Sequence, residues 1–234
     1  MVVRPAARLV GMTPLGMTPL GMTPGGIRRR TAILISGRGS NMEALISAAR
    51  DSAFPAEIVL VVSNRPDAPG LARARTEGIA ARAIDHRAFG KDRAAHESEI
   101  NAALVSANVE IVCLAGYMRL LTPSLVGAWR GRMLNIHPSL LPALPGLHTH
   151  ARAIAAGVKL HGCTVHLVTE QMDQGPILAQ AAVPVLEADT PESLADRVLA
   201  QEHVIYPAAL AAFASGHVAG YAPATAALLN PVAR

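Results

Sequence analysis

Short apolar runs alternate with amphipathic segments along much of the chain. The run TAILI, residues 31–35, predicts a buried strand, and MEALISAAR, residues 42–50, has its apolar side chains at helical spacing. The same pattern predicts further strands at 57–62, 81–84, 109–116 and 132–136, and helices at 71–78 and 91–107. Strands that alternate with helices in this way predict parallel βαβ units, with helices on both faces of one sheet.

The second half of the chain continues the sheet and ends in a helix. Residues 162–169, GCTVHLVT, alternate in polarity, and residues 179–185, AQAAVPV, have strand-like composition. Thr190 and Pro191 provide an N-cap and a first helical residue for a long final helix. We therefore predict a single α/β domain over residues 31–234, with a mostly parallel twisted sheet whose N-terminal half is Rossmann-like.

Composition fits this picture and argues against nucleic acid as a partner. The 234 residues are 51% hydrophobic and 16% charged, which provides ample apolar material for one core. The formal charge of +4 arises at the start of the chain, because five of the 21 basic residues and no acidic residue fall within residues 1–30. The remaining 16 basic residues nearly balance the 17 acidic ones, so the body of the chain has no basic footprint for nucleic acid.

The two ends of the chain and its cysteines bear on processing and location. The repeated unit GMTPL, within residues 11–26, predicts a flexible low-complexity leader over residues 1–30 or a misassigned start of translation, with a transit peptide as the minor alternative. Residues 206–232 carry no charge, but their prolines and glycines disfavour a membrane span. Cys113 and Cys163 form no CxxC motif, so we expect no disulfide and a cytoplasmic protein.

Candidate chemistry falls at the turns that follow predicted strands, because ligands of such sheets bind beyond the carboxyl ends of the strands. The turns predicted to line this crevice are residues 36–41, 116–119 and 135–142. In the first, SGRGSN, Gly37 and Gly39 allow a tight bend, and Ser40 and Asn41 stand at a helix N-terminus that favours a phosphate. The motif is neither GxGxxG nor a Walker loop, so a compact monophosphate fits better than a dinucleotide, and a plain turn is the alternative.

Asn135 and His137 alternate at the end of a predicted strand, so both side chains can face one side of the sheet. An asparagine amide can donate to a developing oxyanion, and a histidine can donate or shuttle a proton near neutral pH. Asp173, in the turn TEQMDQGPI, would raise the pKa of a neighbouring His137. A structural role in capping the strand or forming the turn is the alternative for each of these residues.

Glu202 shares a helical face with Val198 and Ile205, so it points inward and needs a partner, either a substrate group or a structural salt bridge. Four further histidines match no zinc-binding spacing, and we expect no metal. They are His148, His150, His161 and His166. Ser139 lacks the G-x-S-x-G elbow of a serine nucleophile.

Six segments, in order along the chain, resemble the phosphoribosylglycinamide formyltransferases, which are folate-dependent enzymes of purine synthesis. They are SGRGSNMEAL, SNRPDAPGLARARTEGI, LAGYMRLLTP, LNIHPSLLPALPGLHTH, HGCTVHLVTEQMDQGPI and QEHVIYP. HPSLLP with a downstream D-x-G-P is shared with the wider formyltransferase fold, whereas PGLHTH and GRGSN are more specific to this family. The resemblance covers about residues 31–207 and implies the formyltransferase fold.

The resemblance also implies two small-molecule substrates, glycinamide ribonucleotide and the formyl donor 10-formyltetrahydrofolate. The implied ribonucleotide contacts are Gly39, Ser40 and Asn41 at the phosphate and Glu202 at the glycinamide end. The implied donor contacts are Arg93, Met118, Arg119, Leu120, Leu121 and Asn135. The implied catalytic residues are Asn135, His137 and Asp173.

In the implied mechanism the substrate amine attacks the formyl carbon directly. Asn135 and protonated His137 stabilise the oxyanion, while Asp173 keeps His137 charged and orients a water that carries the amine proton to the folate nitrogen. The rival interpretations are a formyltetrahydrofolate deformylase, which typically has an extra N-terminal domain, and a methionyl-tRNA formyltransferase, which has a second, basic domain. A non-catalytic nucleotide-binding module is a third. The chain is expected to be a monomer or a homodimer.

Overall fold

The computed structural model describes residues 28–217, which form a seven-stranded sheet flanked by helices. The strands are β1 (Arg29–Ile35), β2 (Ala56–Ser63), β3 (Ala80–Ala83), β4 (Ile111–Leu114), β5 (Met133–His137), β6 (Leu160–Leu167) and β7 (Ile177–Pro184). The helices are α1 (Ser40–Ala49), α2 (Pro69–Thr76), α3 (Arg93–Ser106), α4 (Pro123–Ala128), α5 (Thr149–Ala155) and α6 (Pro191–Ala214), with a 3₁₀ turn at His86–Phe89. The GMTPL repeats lie outside the described residues.

The sheet order is β3-β2-β1-β4-β5-β6-β7. Neighbouring strands from β3 to β5 pair in parallel, and the pairings β5–β6 and β6–β7 are antiparallel. This order confirms the predicted mostly parallel sheet with a Rossmann-like first half. The chain reverses direction across the sheet between β1 and β4, which is the point where ligands of such folds bind. The apolar pattern alone did not distinguish the antiparallel pair, because alternation in β6 and β7 carries no information about strand direction.

Strand β1 packs on both of its faces. Ile33 and Ile35 lie in the hydrophobic core formed with α1, α2, α5 and α6. Ala32 and Leu34 lie in the second core, formed with α3 and α4. Successive strand residues point to opposite faces, so a central strand covered on both sides is a continuous apolar run, as TAILI is.

The first strand begins at Arg29, two residues before the start predicted from the apolar run. The Arg28 Nε donates to the Phe54 carbonyl at 3.0 Å, and the Arg29 guanidinium lies 2.5 Å from a Glu110 carboxylate oxygen. Arginine stems can extend along the end of a sheet while their charged groups find partners there. Strand β1 therefore begins slightly before the apolar run from which it was predicted.

Two short helices, α4 and α5, were not predicted. They contain six and seven residues, which is less than the window over which helical periodicity becomes visible. In α4 the signals are local ones, because Thr122 accepts a hydrogen bond from the Leu125 N–H at the N-cap and Pro123 takes the first helical position.

The final helix begins as predicted. Thr190 and Ser193 form a reciprocal capping box, and Pro191 takes the first turn. None of the helices within residues 28–217, the 24-residue α6 included, has the length and hydrophobicity needed to cross a membrane. The uncharged stretch continues beyond this helix into residues 218–232, which lie outside the described part of the chain.

Candidate active site

The predicted phosphate turn connects β1 to α1. Gly39 has a φ of 79° at the N-cap of α1, and no side chain caps this helix. A Cβ at Gly39 would lie 3.1 Å from the Met42 side chain. The Gly70 N–H, at the start of α2, donates to the Gly37 carbonyl at 3.2 Å and so connects the turn to α2. Gly39 and Ser40 therefore lie at an uncapped helix start whose N–H groups are available to an anion.

Asn41 and Glu202, which are 161 residues apart in sequence, form a buried hydrogen bond. The Asn41 Nδ2 donates to Glu202 Oε2 at 2.6 Å. Burial raises the pKa of Glu202, and the hydrogen bond from Asn41 partly opposes this shift. Among the described residues, Asn41 Oδ1 is buried without a hydrogen-bond partner. The inward position predicted for Glu202 is confirmed, and its protein partner is a neutral amide rather than a cation.

The Asn41–Glu202 pair adjoins the strand that carries Asn135. Tyr206 lies one helical turn after Glu202, and its hydroxyl donates toward the Leu134 carbonyl at 3.2 Å. Leu134 is the residue before Asn135 on β5. Because β1 and β5 are both parallel to β4 and lie on either side of it, the two parts of the predicted site lie at the same edge of the sheet.

Asn135 and His137 end strand β5, and the antiparallel register places His166 of β6 directly opposite Asn135. Asn135 Nδ2 lies 3.1 Å from His166 Nε2, and His166 Nδ1 lies 2.9 Å from the Leu167 carbonyl. Since the carbonyl requires an N–H at Nδ1, Nε2 accepts from Asn135. Burial lowers the pKa of His166, which agrees with this neutral form. His166 thus fixes the orientation of the Asn135 amide.

Asp173 lies between the two histidines. Its Oδ2 is 3.5 Å from His137 Nδ1, and its Oδ1 is 3.9 Å from His166 Nε2. The Gly146 N–H donates to Oδ2 at 2.8 Å. The structure thus brings Asn135, His137 and Asp173 together, as the sequence predicts, and adds His166 to them.

Both ring nitrogens of His137 face acceptors. Nδ1 faces the Asp173 carboxylate, and Nε2 lies 3.2 Å from the Leu144 carbonyl. His137 therefore has a hydrogen-bond acceptor beside each ring nitrogen and can donate a hydrogen bond from either one.

Backbone strain is concentrated at this cluster. Four non-glycine residues among those described have positive φ, namely Asn108, Leu144, His148 and Asp173. Asparagine, aspartate and histidine tolerate this conformation best, whereas for Leu144 it costs about 1–3 kcal/mol, which the surrounding contacts must offset. Leu144 and Asp173 supply the two groups that His137 contacts. A Cβ on Gly175 would lie 1.7 Å from the Leu167 carbonyl oxygen. Only a glycine therefore allows the turn that carries Asp173 to lie this close to β6.

Large apolar side chains are exposed around the polar cluster. The exposed fractions are 72% for Met118, 60% for Leu120, 71% for Leu147 and 53% for Met172. Leu147 follows Gly146, whose N–H binds Asp173, and Met118 and Leu120 belong to the loop after β4. Exposed apolar groups beside a few convergent polar ones are the usual lining of a ligand site.

The remaining predicted donor residues lie on the same loop and on α3. Leu121 is partly buried against the α3 and α4 core, and Arg119 is also partly buried. Arg93 is the first residue of α3 and is exposed. Their contacts with a donor stay a prediction.

The described residues place no activated nucleophile at this cluster. Burial raises the pKa of the Cys113 thiol to about 12 and also raises that of Cys163, and both thiols are free. The Ser139 hydroxyl is fully buried and donates to the Ala143 carbonyl at 2.7 Å. Within residues 28–217, no group of three or more His, Cys, Asp or Glu side chains is arranged to hold a metal ion. What the cluster offers is hydrogen-bond donors and a carboxylate.

The contacts that His166, Leu144 and Gly146 make with the polar cluster were not predicted from the sequence. His166 was considered only as a metal ligand, and its role depends on the β5–β6 register, which no local pattern encodes. Leu144 and Gly146 act through a carbonyl and an N–H, so their side chains gave no signal.

Comparison with known proteins gives consistent matches. Residues 29–210 match the family described as formyl transferase. The phosphoribosylglycinamide formyltransferase of Escherichia coli (strain K12) is 44% identical over 186 residues, which cover 80% of this chain and 87% of that protein. The trifunctional purine biosynthetic protein adenosine-3 of Drosophila melanogaster is 49% identical over 81% of this chain, and the matched part makes up only 14% of that longer protein. The crystal structure of phosphoribosylglycinamide formyltransferase from Brucella melitensis aligns with a TM-score of 0.77 and 58% identity, over 83% of this chain and 100% of that one.

Proposed function

Because this chain belongs to the formyl transferase family, we propose that it transfers the formyl group of 10-formyltetrahydrofolate to the amine of glycinamide ribonucleotide in de novo purine biosynthesis. The observation that carries the proposal is the convergence of Asn135, His137 and Asp173 at one edge of the sheet. This set stabilises negative charge on a reacting oxygen and needs no covalent intermediate. The two free, buried thiols fit a cytoplasmic enzyme.

The ribonucleotide occupies the side of the crevice near α1. Its phosphate binds the N–H groups of Gly39, Ser40 and Asn41, where the positive end of the helix dipole adds to the attraction. Glu202 accepts hydrogen bonds from the glycinamide end. This orientation directs the amine toward β5.

The folate donor occupies the apolar side of the crevice. The residues proposed to contact it are Arg93, Met118, Arg119, Leu120, Leu121 and Asn135. The exposed Met118 and Leu120 cover the pterin, and the arginines suit the carboxylates of the folate tail. This placement brings the formyl group next to Asn135.

The reaction begins with direct attack of the amine on the formyl carbon, which produces a tetrahedral oxyanion. The Asn135 Nδ2 and the His137 Nε2–H donate to this oxygen. The His137 Nε2 lies 3.2 Å from the Leu144 carbonyl, a long hydrogen bond that can be redirected to the oxyanion. Asp173 balances the imidazolium charge and orients a water that carries the amine proton to the folate nitrogen, which then leaves.

The test is an assay that separates transfer from hydrolysis. Purified protein is mixed with a 10-formyl folate donor, and deformylated folate is followed by absorbance with and without glycinamide ribonucleotide, while formate is measured in parallel. We expect folate release that requires the ribonucleotide and yields no formate. Formate release without the acceptor would identify a deformylase, and the absence of any turnover would indicate a non-catalytic binding module.

A further inference from the structure

The loop between β4 and α4, which carries Met118 and Leu120, is held at both ends. At its start, the Met118 N–H donates to the Ser36 hydroxyl at 2.8 Å. At its end, the N–H of Thr122 lies 3.0 Å from both carboxylate oxygens of Glu97 on α3. The Thr122 hydroxyl also donates to Glu97. The second attachment is made by a carboxylate to which neither the sequence nor the proposed reaction assigns a role.

Glu97 is an unusual residue for its position. It is only 5% exposed and lies between the buried side chains of His96 and Ile100 on the inner face of α3. Within residues 28–217 it forms no ion pair, and a buried carboxylate is costly unless hydrogen bonds replace its water. The donors of Thr122 supply those bonds, and charge-assisted bonds of this kind are among the stronger ones.

The same loop is fixed from the inside by packing. Tyr117 and Leu121 lie against the core formed with α3 and α4, while Met118 and Leu120 between them are exposed. Burial and the nearby Glu97 carboxylate both raise the pKa of Tyr117, so its ring stays neutral in this position. The loop therefore presents alternate side chains to the crevice, and Glu97 fixes the point at which it enters α4.

Glu97 also connects two parts of the proposed donor site. Arg93 lies four residues earlier on α3, one helical turn away on the same side of the helix. The hydrogen bonds that Thr122 donates to Glu97 thus tie the helix that carries Arg93 to the loop that carries Met118 and Leu120. A loop already ordered in the free protein loses less conformational entropy when a ligand binds.

We propose that Glu97 is a positioning residue of the formyl-donor site. Through its contacts with Thr122, Glu97 holds the loop of residues 117–121 in the conformation that binds the donor. This inference rests on the proposed function for the identity of the donor. Glu97 does not contact the reacting atoms. Its loss should therefore weaken donor binding and leave acceptor binding and the chemical step largely intact.

The main test compares Glu97→Ala with a matched variant, Glu110→Gln. The Glu110 carboxylate also accepts a backbone N–H, that of Arg30 at 3.0 Å, but it does so at the opposite end of β4. For Glu97→Ala we expect the KM for the donor to rise about tenfold, with the KM for the acceptor and kcat at saturating donor within about twofold of wild type. Glu110→Gln should leave both KM values unchanged.

Thr122 provides a second pair of variants. Thr122→Ser keeps the N–H and the hydroxyl and should behave like wild type, whereas Thr122→Val removes the hydroxyl donor and should raise the donor KM. In the Glu97→Ala background, Thr122→Val should add little, because residues that act through one contact are not additive. This pair carries the test if Glu97→Ala fails to fold.

Hydrogen exchange separates this inference from the proposed function. The amides of residues 117–122 should exchange faster in Glu97→Ala than in wild type, and those of β1 and β2 should not change. This result is expected whatever reaction the protein catalyses, whereas failure of wild type to transfer formyl groups would contradict the proposed function alone. An unchanged donor KM, or equal losses of donor binding, acceptor binding and thermal stability, would overturn the positioning role.

Discussion

The crevice contains two carboxylates in opposite environments, one on the buried Glu202 and one on the partly buried Asp173. Glu202 lies against a neutral amide, that of Asn41, and burial raises its pKa. Asp173 lies against two imidazoles, those of His137 and His166, and accepts a backbone N–H. One carboxylate therefore lacks a positive partner in the protein, and the other is placed to hold one.

Under the proposed function, this difference separates binding from catalysis. A buried carboxylate without a charged partner can accept hydrogen bonds from the donor groups of a ligand. Until it does so, its burial lowers the stability of the protein. A carboxylate between histidines acts within the protein and keeps a positive charge where negative charge develops during the reaction. The removal of each carboxylate should consequently affect different measurements.

The largest effect is expected from Asp173→Ala, since the variant removes the negative partner of His137. Its kcat should fall at least about 100-fold, and Asn135→Ala should lose a similar amount through the missing oxyanion donor. Circular dichroism and Tm should remain close to those of wild type. A near-normal kcat in either variant would contradict the catalytic role of that residue, and in Asp173→Ala it would also contradict the contrast between the two carboxylates.

A smaller loss is expected from His166→Ala, which frees the Asn135 amide to rotate. We expect kcat to fall about tenfold, while the KM values for both substrates change by less than about threefold. Steady-state kinetics with each substrate varied in turn gives the comparison. A loss confined to KM would instead assign His166 to substrate binding.

The binding carboxylate should show the reverse pattern in Glu202→Gln. The amide keeps an acceptor for Asn41 but has no charge, so the KM for the acceptor should rise about tenfold with a smaller change in kcat. Because burial raises the pKa of Glu202, ionisation above its usual pKa destabilises the native state, and this cost disappears in the variant. Thermal scans at neutral pH should therefore show a higher Tm for Glu202→Gln, but not for Asp173→Asn.

The smallest effect on turnover is expected at His161, which borders the cluster and should affect the pH dependence of stability instead. His161 is 1% exposed, its Nε2 lies 3.2 Å from His150 Nδ1, and burial lowers its pKa to about 4. The unfolded chain binds this proton near pH 6.5 and the native state only near pH 4, so stability should fall as the pH drops through that window. The total loss from this group is on the order of 3 kcal/mol. Urea unfolding at several pH values should show a weaker acid dependence in His161→Gln, and an identical dependence in both proteins would contradict the assignment.

Sequence alone predicted the parts of this molecule that depend on local patterns. The apolar run of β1 and the alternation of Asn135 and His137 follow directly from strand geometry, and Thr190 from helix capping. Family resemblance was needed to join Asp173 to His137, because nothing local connects a turn to a strand 36 residues earlier.

What the sequence did not predict depends on contacts between distant segments. The Asn41–Glu202 hydrogen bond spans 161 residues, and the contact of His166 with Asn135 follows from the pairing register of β5 and β6. The Leu144 carbonyl and the Gly146 N–H are backbone groups of a kind found throughout the chain, so only their positions in the fold bring them to His137 and Asp173.

The exposed apolar side chains of Met118, Leu120, Leu147 and Met172 have a calorimetric consequence. Their exposure in the unliganded protein, from 53% to 72%, means that a flat hydrophobic ligand removes apolar surface from water when it binds. Binding of the donor should therefore carry a clearly negative change in heat capacity, whereas binding of a phosphate and hydroxyl groups at Gly39 and Glu202 should carry little. The two halves of one crevice would then respond differently to temperature: because the donor's binding enthalpy becomes more negative on warming, its plot of ln K against 1/T should be curved, whereas that of the acceptor should be close to straight.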